Sequence, residues 1–128
     1  MFDVQLIEND VVIEQPYHTI QIIINNLIIN AVKALSAVTE KRIGLDIRIK
    51  DDYCYLKVKD NAPMIDDRIK NDIFNYGFST TGGSGIGLFQ VKECLKRMGG
   101  GISVEAELDD SQYTKSFSFF FPLQNREL

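Results

Sequence analysis

Three sets of polar residues in this 128-residue chain stand where their surroundings do not call for them. Asn26, Asn30 and Lys33 recur at i, i+4 and i+7 inside an apolar run that includes Ile22, Ile23, Ile24, Leu27, Ile28, Ile29, Ala31 and Val32. On a helix that spacing makes one stripe about 60° wide. An apolar helix prefers to be buried nearly all round, so a narrow polar stripe on it faces something polar. Amide oxygens are neutral hard donors, suited to a Mg²⁺ ion that keeps waters and phosphates. A lysine one turn on supplies positive charge to a phosphate oxygen. The plain alternative is the solvated edge of an amphipathic helix.

Asp60 is the second anomaly. It continues the series Cys54, Leu56, Val58 on the apolar side of an alternating stretch, so its carboxylate points inward. A buried carboxylate is costly unless donors reach it, and the exocyclic amine of a purine is one such donor. The alternative is a turn cap for Asp60-Asn61-Ala62-Pro63. The third feature is Gly82-Gly83-Ser84-Gly85-Ile86-Gly87-Leu88, leading into a helix. Glycines permit close backbone approach, and a helix start offers free amides and a favourable dipole to an anion. It is not a Walker A loop, because Leu88 stands where lysine is required, and it is not a dinucleotide GxGxxG. A flexible connector is the bland reading of this loop. Taken together, the three features fit a magnesium–nucleotide.

The elements that must position these residues are legible in outline. Residues 4–7 and 11–13 suggest a weak hairpin. Pro16 opens a helix running to about Val38. Residues 43–50 and 53–60 alternate around Asp51-Asp52 as an antiparallel hairpin. A short helix is expected at about 66–74, where Ile65, Ile69 and Ile73 are spaced by four. A third helix is expected at 86–98, stopped by Gly99-Gly100-Gly101. Strands follow at 102–108 and 115–121. Each confident strand has one apolar face, so the expected fold is α+β: a two-layer α/β sandwich whose mixed, mostly antiparallel sheet is covered on one face by three helices. The length fits one domain over residues 1–128.

Charge and composition remove several classes. A net charge of −4 argues against a nucleic-acid backbone binder. Cys54 and Cys94 have no zinc-ligand spacing and fit a reduced, cytoplasmic setting. No secretory leader is expected from MFDVQLIEND, and Asn25, Asn26, Asn30 and Lys33 interrupt the most apolar stretch, which leaves no expected membrane span.

The order of these motifs resembles the catalytic, ATP-binding domain of sensor histidine kinases, within the GHKL (Bergerat-fold) ATPase group. Asn26-Leu27-Ile28-Ile29-Asn30-Ala31-Val32-Lys33-Ala34 is similar to the N-box, and Phe74 to Thr81 to the Phe-box. Gly83-Ser84-Gly85-Ile86-Gly87-Leu88 is similar to the G2-box. Met98 to Glu105 and Ser116 to Leu123 resemble the family's last two strands, so the likeness covers about residues 16–123.

The resemblance implies ATP and Mg²⁺ as cofactors. It implies Asn30 as the metal ligand with Asn26 helping through water, Lys33 on a phosphate, and Asp60 as the adenine anchor. It further implies nucleotide contacts from Ala62, Met64, Phe78, Thr80, Thr81, Gly83, Ser84, Gly85, Ile86, Gly87, Leu88 and Ser116, with 76–86 as a lid. Two departures stand out. The G1 motif DxGxG reads Asp60-Asn61-Ala62-Pro63-Met64, and an alanine at a φ > 0 position would carry strain of about 1 kcal/mol. Gly82 stands where many relatives keep lysine.

Hydrolytic relatives place a glutamate four residues before the metal asparagine. Asn26 has no such basicity, which points to transfer onto a supplied nucleophile. The implied acceptor is a histidine on a separate dimerisation domain of a kinase, which then serves a response regulator. His18, in Tyr17-His18-Thr19-Ile20, reads as an ordinary helix residue. A degenerate nucleotide-binding or scaffolding module and an anti-sigma-type serine kinase are the alternatives. The expected setting is cytoplasmic, in a parent protein with its own anchor, and without direct membrane or nucleic-acid contact.

Overall fold

A computed structural model of the chain describes residues 2–6, 17–78 and 85–123. In chain order these form β1 (Phe2–Leu6), α1 (Tyr17–Ala34), β2 (Ile43–Lys50), β3 (Tyr53–Asp60), a 3-10 turn (Asp72–Phe74), α2 (Gly87–Arg97), β4 (Gly101–Ala106) and β5 (Lys115–Pro122). The sheet order is β1-β2-β3-β5-β4. Alternation fixes β2 and β3 at the expected bounds. Their two-residue turn holds Asp51 at φ 52° and Asp52 at φ 64°, the left-handed pair that a tight hairpin requires.

One face of the sheet carries the core. Ile23, Leu27, Ala31 and Leu35 descend one side of the first helix and its exit, all essentially buried. They meet Cys54, Leu56 and Val58 of β3, Phe117, Phe119 and Phe121 of β5, and Val91 and Leu95 of α2 within one cluster. Phe74 stacks edge-on against Phe117 at 6.3 Å between ring centroids. On the opposite face Lys59 is buried as well. Its ammonium lies 3.1 Å from Asp46 and 4.7 Å from the centre of the Tyr113 ring. Burial is the largest single influence and disfavours that charge, but Asp46, together with Asp110 and Tyr113, outweighs it and holds the ammonium above its ordinary range.

Among the described residues the start of the chain contributes the strand β1, which pairs in parallel with β2, Val4 opposite Leu45; the second arm of the expected hairpin, residues 11–13, lies outside the described residues. Three expectations need correction. The stretch 66–74 is a chain of tight turns, with Ile69 N bonded to Asp66 O, Asp72 N to Ile69 O and Asn75 N to Asp72 O. Asp66 also accepts the Arg68 amide at 2.9 Å, a turn that competes with helix. Among the described residues two α-helices therefore cover the sheet, not three. α1 ends at Ala34, before the expected Val38. β4 stops at Ala106, which leaves Leu108 89% exposed.

Candidate functional site

A cavity of about 410 Å³ opens between the end of α1, the segment after β3, the start of α2 and the first residues of β5. Asn30 and Lys33 border it from α1, Met64, Ile65 and Asp66 from the segment after β3, Phe78 and Leu88 from either side of the glycine-rich stretch, and Lys115 and Phe117 from β5. The polar stripe of the first helix thus faces a cavity at two of its three positions.

Asn26 does not border that cavity. Its side-chain amide donates to the Ile22 carbonyl at 3.0 Å, one turn back. Its Oδ1 lies beside Gly87, where a β-carbon would come within 3.1 Å. Asn26 therefore touches the start of α2, and a glycine there permits the approach.

Asp60 ends β3 at zero exposure, as its place in the alternation requires. Its Oδ1 accepts the Ala62 amide at 3.0 Å and the Lys115 ammonium. Its Oδ2 is equally enclosed and has no hydrogen-bond partner. Buried carboxylate oxygens normally have one; Asp60 does not itself border the cavity, but the Lys115 side chain it holds does. Thr114 fixes this corner by donating its amide to the Asp60 carbonyl at 2.9 Å and its hydroxyl to the Ala62 carbonyl.

The expected strain at Ala62 is absent. Asp51 and Asp52 are the non-glycine residues with positive φ among the described residues, so neither Ala62 nor Met64 needs a glycine's conformation. Ala62 is wholly buried and does not border the cavity, whereas Met64 is half exposed at its rim.

Gly77 (φ 79°) donates its amide to the Gly85 carbonyl at 3.1 Å, which clasps the two ends of the glycine-rich segment. Gly85 sits at φ 71°, and a β-carbon there would fall 2.5 Å from the backbone of Gly77 and Phe78. Ile86 then caps α2 without any side-chain bond, so the leading amides of Gly87 and Leu88 have no side-chain acceptor from the cap. Of the expected nucleotide contacts, Thr80, Thr81, Gly83 and Ser84 lie outside the described residues.

Ser116 is not brought to the cavity. It stands opposite Lys59 on β3 and Glu105 on β4, on the other face of the sheet. The residue that does enter is its neighbour Lys115, which the sequence reading passed over. The signal was available: Lys115 shares the parity of Phe117, Phe119 and Phe121. Asp66 borders the mouth, and its hydrogen bond from the Arg68 guanidinium holds its carboxyl below the usual range.

No group of three or more His, Cys, Asp or Glu side chains gathers among the described residues. A metal here would rest on the Asn30 amide, phosphate oxygens and waters, a set that suits Mg²⁺.

The family model for histidine kinase-, DNA gyrase B- and HSP90-like ATPases matches residues 16–125. A probable C4-dicarboxylate sensor kinase of Halalkalibacterium halodurans is 34% identical over 109 residues, covering 82% of this chain and 20% of that protein. The sensor histidine kinase DcuS of Escherichia coli is 34% identical over 85 residues, covering 66% of this chain and 16% of that one. The chain thus spans about a fifth of the length of these relatives. Among solved structures, the catalytic domain of the histidine kinase ThkA superposes with a TM-score of 0.83 at 24% identity, over 97% of this chain and 80% of that one. Full-length ShkA in complex with AMPPNP gives 0.82 at 23% identity, over 99% of this chain and 26% of that one. At these identities the structural likeness carries the fold.

Proposed function

Since the chain belongs to the family of histidine kinase-, DNA gyrase B- and HSP90-like ATPases, we propose that its cavity takes ATP as the magnesium complex and that the domain presents the γ-phosphoryl group to a histidine supplied by another domain of a sensor kinase. The observation that supports this reading is the buried Oδ2 of Asp60, which has no hydrogen-bond partner and whose chemistry suits an exocyclic N–H of a purine.

The chain's own residues divide the work. Asp60 and its hydrogen-bonded Ala62 hold the base, with Met64, Ile65 and Phe117 as apolar walls. Asn30 offers its amide oxygen to Mg²⁺, and Lys33 offers its ammonium to a phosphate oxygen. The leading amides of α2 accept negative charge at a helix start. Thr80, Thr81, Gly83 and Ser84 complete the phosphate contacts on this reading. When bound, the metal ion neutralises phosphate charge. Asn26, an amide engaged with Ile22 and Gly87, provides no base for water, which favours a supplied nucleophile. The ordinary backbone at Ala62 supports a working base pocket over a degenerate one.

The partners follow from the relatives. They are sensor kinases several times longer than this chain, so a histidine-bearing dimerisation domain and a response regulator are the proposed partners. ThkA, 22% identical, has been solved in complex with the response regulator protein TrrA. No helix among the described residues is long and apolar enough to cross a membrane. We place the domain in the cytoplasm of an anchored parent protein.

Calorimetric titration of Mg–ATP into the domain tests the reading. Saturable binding that Asp60→Asn weakens is expected. Absence of binding at several millimolar nucleotide would overturn it.

A further inference from the structure

The sheet face turned away from the helices carries large apolar side chains that the core does not use. Tyr53 and Tyr55 of β3 and Phe120 of β5 alternate with the buried Cys54, Leu56, Phe119 and Phe121, and they are 37%, 42% and 38% exposed. Their ring centroids lie 6.1 to 6.3 Å apart, so the three rings form one plate. Phe120 pairs with Gly101 on β4, and its ring lies over that residue, where a β-carbon would meet it at 3.2 Å. Aromatic rings grouped on a surface in this way mark a contact site.

The charges at the edge of the plate say what fits against it. Lys57 is engaged by Glu105 and Glu107, and Lys59 by Asp46. Arg48 and Lys50, which flank Tyr55 and Tyr53 in the β2–β3 register, are exposed and make no ion pair among the described residues. The exposed side chains of Asp51 and Asp52 in the adjoining turn make none either. Two unengaged cations and two unengaged anions thus border one aromatic surface. A partner of a single charge would attract one pair and repel the other. A second copy of the same surface, turned about a two-fold axis, offers each sign its opposite, which is the self-complementarity an isologous interface requires. An axis along the strands keeps both turns at the same end, within the near-aligned packing that stacked sheets adopt. A groove of about 410 Å³ beside the plate, lined by Asp46, Arg48, Lys50, Tyr55 and Lys57, gives this surface a hollow to match its projecting rings.

We propose that this open sheet face is a self-association surface, on which two copies of the chain pack plate to plate with the Arg48–Lys50 edge of one against the Asp51–Asp52 turn of the other. The inference does not rest on the nucleotide reading. Each ring has less than half of its roughly 150–250 Å² to give. Three such rings and a charged edge fall short of the ~800 Å² per partner of a stable dimer, so the pairing is weak and depends on concentration.

Sedimentation velocity of the domain from about 10 μM to about 1 mM tests it. The expected result is a reversible shift from monomer toward dimer across that range, weakened by added salt because the edge charges are exposed. Phe120→Ser removes one ring from the plate, and Arg48→Glu combined with Lys50→Glu leaves the edge with a single sign. Each is expected to weaken dimerisation about tenfold or more. Should Phe120→Ser fail to fold, the charge variant, whose side chains are exposed and make no ion pair, carries the test alone. A monomer at every concentration sinks the inference. A dimer that the charge variant leaves at wild-type strength sinks it too, because the contact would then lie on another face.

Discussion

Gly87 lays bare backbone against the Asn26 side chain, so close that a β-carbon there would stand 3.1 Å from Asn26 Oδ1. This contact ties the polar stripe of α1 to the first residue of α2. Added bulk at such a site costs about 1–3 kcal/mol. Gly87→Ala is therefore expected to weaken Mg–ATP binding by roughly fivefold, with Gly87→Val weaker still. Calorimetry on both variants checks it, and unchanged affinity in Gly87→Val would show that the contact has no part in binding.

Gly85 gives a sharper test of the clasp with Gly77. Its φ of 71° and the 2.5 Å approach to the Gly77 and Phe78 backbone both oppose a side chain. Gly85→Ala is expected to cost roughly 2 kcal/mol or more in urea unfolding. Nucleotide binding should fall with it, because the clasp sets where α2 begins. A variant as stable as the parent would mean the segment re-forms without this turn.

At the G1 position the expectation runs opposite to the sequence argument. Ala62 has no positive φ, so Ala62→Gly relieves no strain. It frees the unfolded chain instead, at a cost of about 0.4–1 kcal/mol. Chemical denaturation should register that loss while Mg–ATP affinity stays level. A gain in stability would show that the site prefers glycine after all.

Asp60→Asn leaves the Lys115 ammonium buried without its carboxylate. Breaking a buried pair in this way costs about 3–5 kcal/mol. The thermal midpoint should fall by many degrees, and nucleotide affinity should fall at least tenfold. An unchanged midpoint would mean that water reaches Lys115 in solution.

The two thiols should part company with pH. Burial pushes the Cys54 thiol from 9.0 up to about 11, while Cys94 is only partly buried. Because the folded value is the higher one, the folded state keeps the proton that the unfolded chain gives up. The resulting stability is whole below about pH 9 and is lost as pH rises through about 11. At pH 8 iodoacetamide should label native protein once, at Cys94, and denatured protein twice. Labelling of native Cys54 at a comparable rate would contradict its enclosure.

What the sequence revealed depended on whether the signal was local. β2 and β3 carry strict alternation on both sides of an Asp-Asp turn, and their bounds were readable to the residue. The Asn30 and Lys33 stripe announced its cavity because polar groups on an apolar helix have few other uses. The partner of β1 lies some forty residues away, and nothing in its own residues encodes a parallel neighbour. At 66–74 the spacing of Ile65, Ile69 and Ile73 by four imitated a helix, but the Asp66 side chain captured the Arg68 amide and a three-residue period won. Ser116 was one residue out, and in a strand one residue exchanges the two faces. The same slip hid Lys115.

The bonds around Asp60 have an effect on motion. Lys115 and Thr114 return to Asp60 and Ala62 after an excursion of more than fifty residues, 55 for the ion pair. The turns, the glycine clasp, α2 and β4 all belong to that excursion, and both its feet stand on one spot. Rearrangement within it need not unzip β3 from β5. On the proposed reading the base would rest near the knot itself, while the glycine clasp and the start of α2 hang from a tether of fixed ends and Asn30 and Lys33 stay on α1.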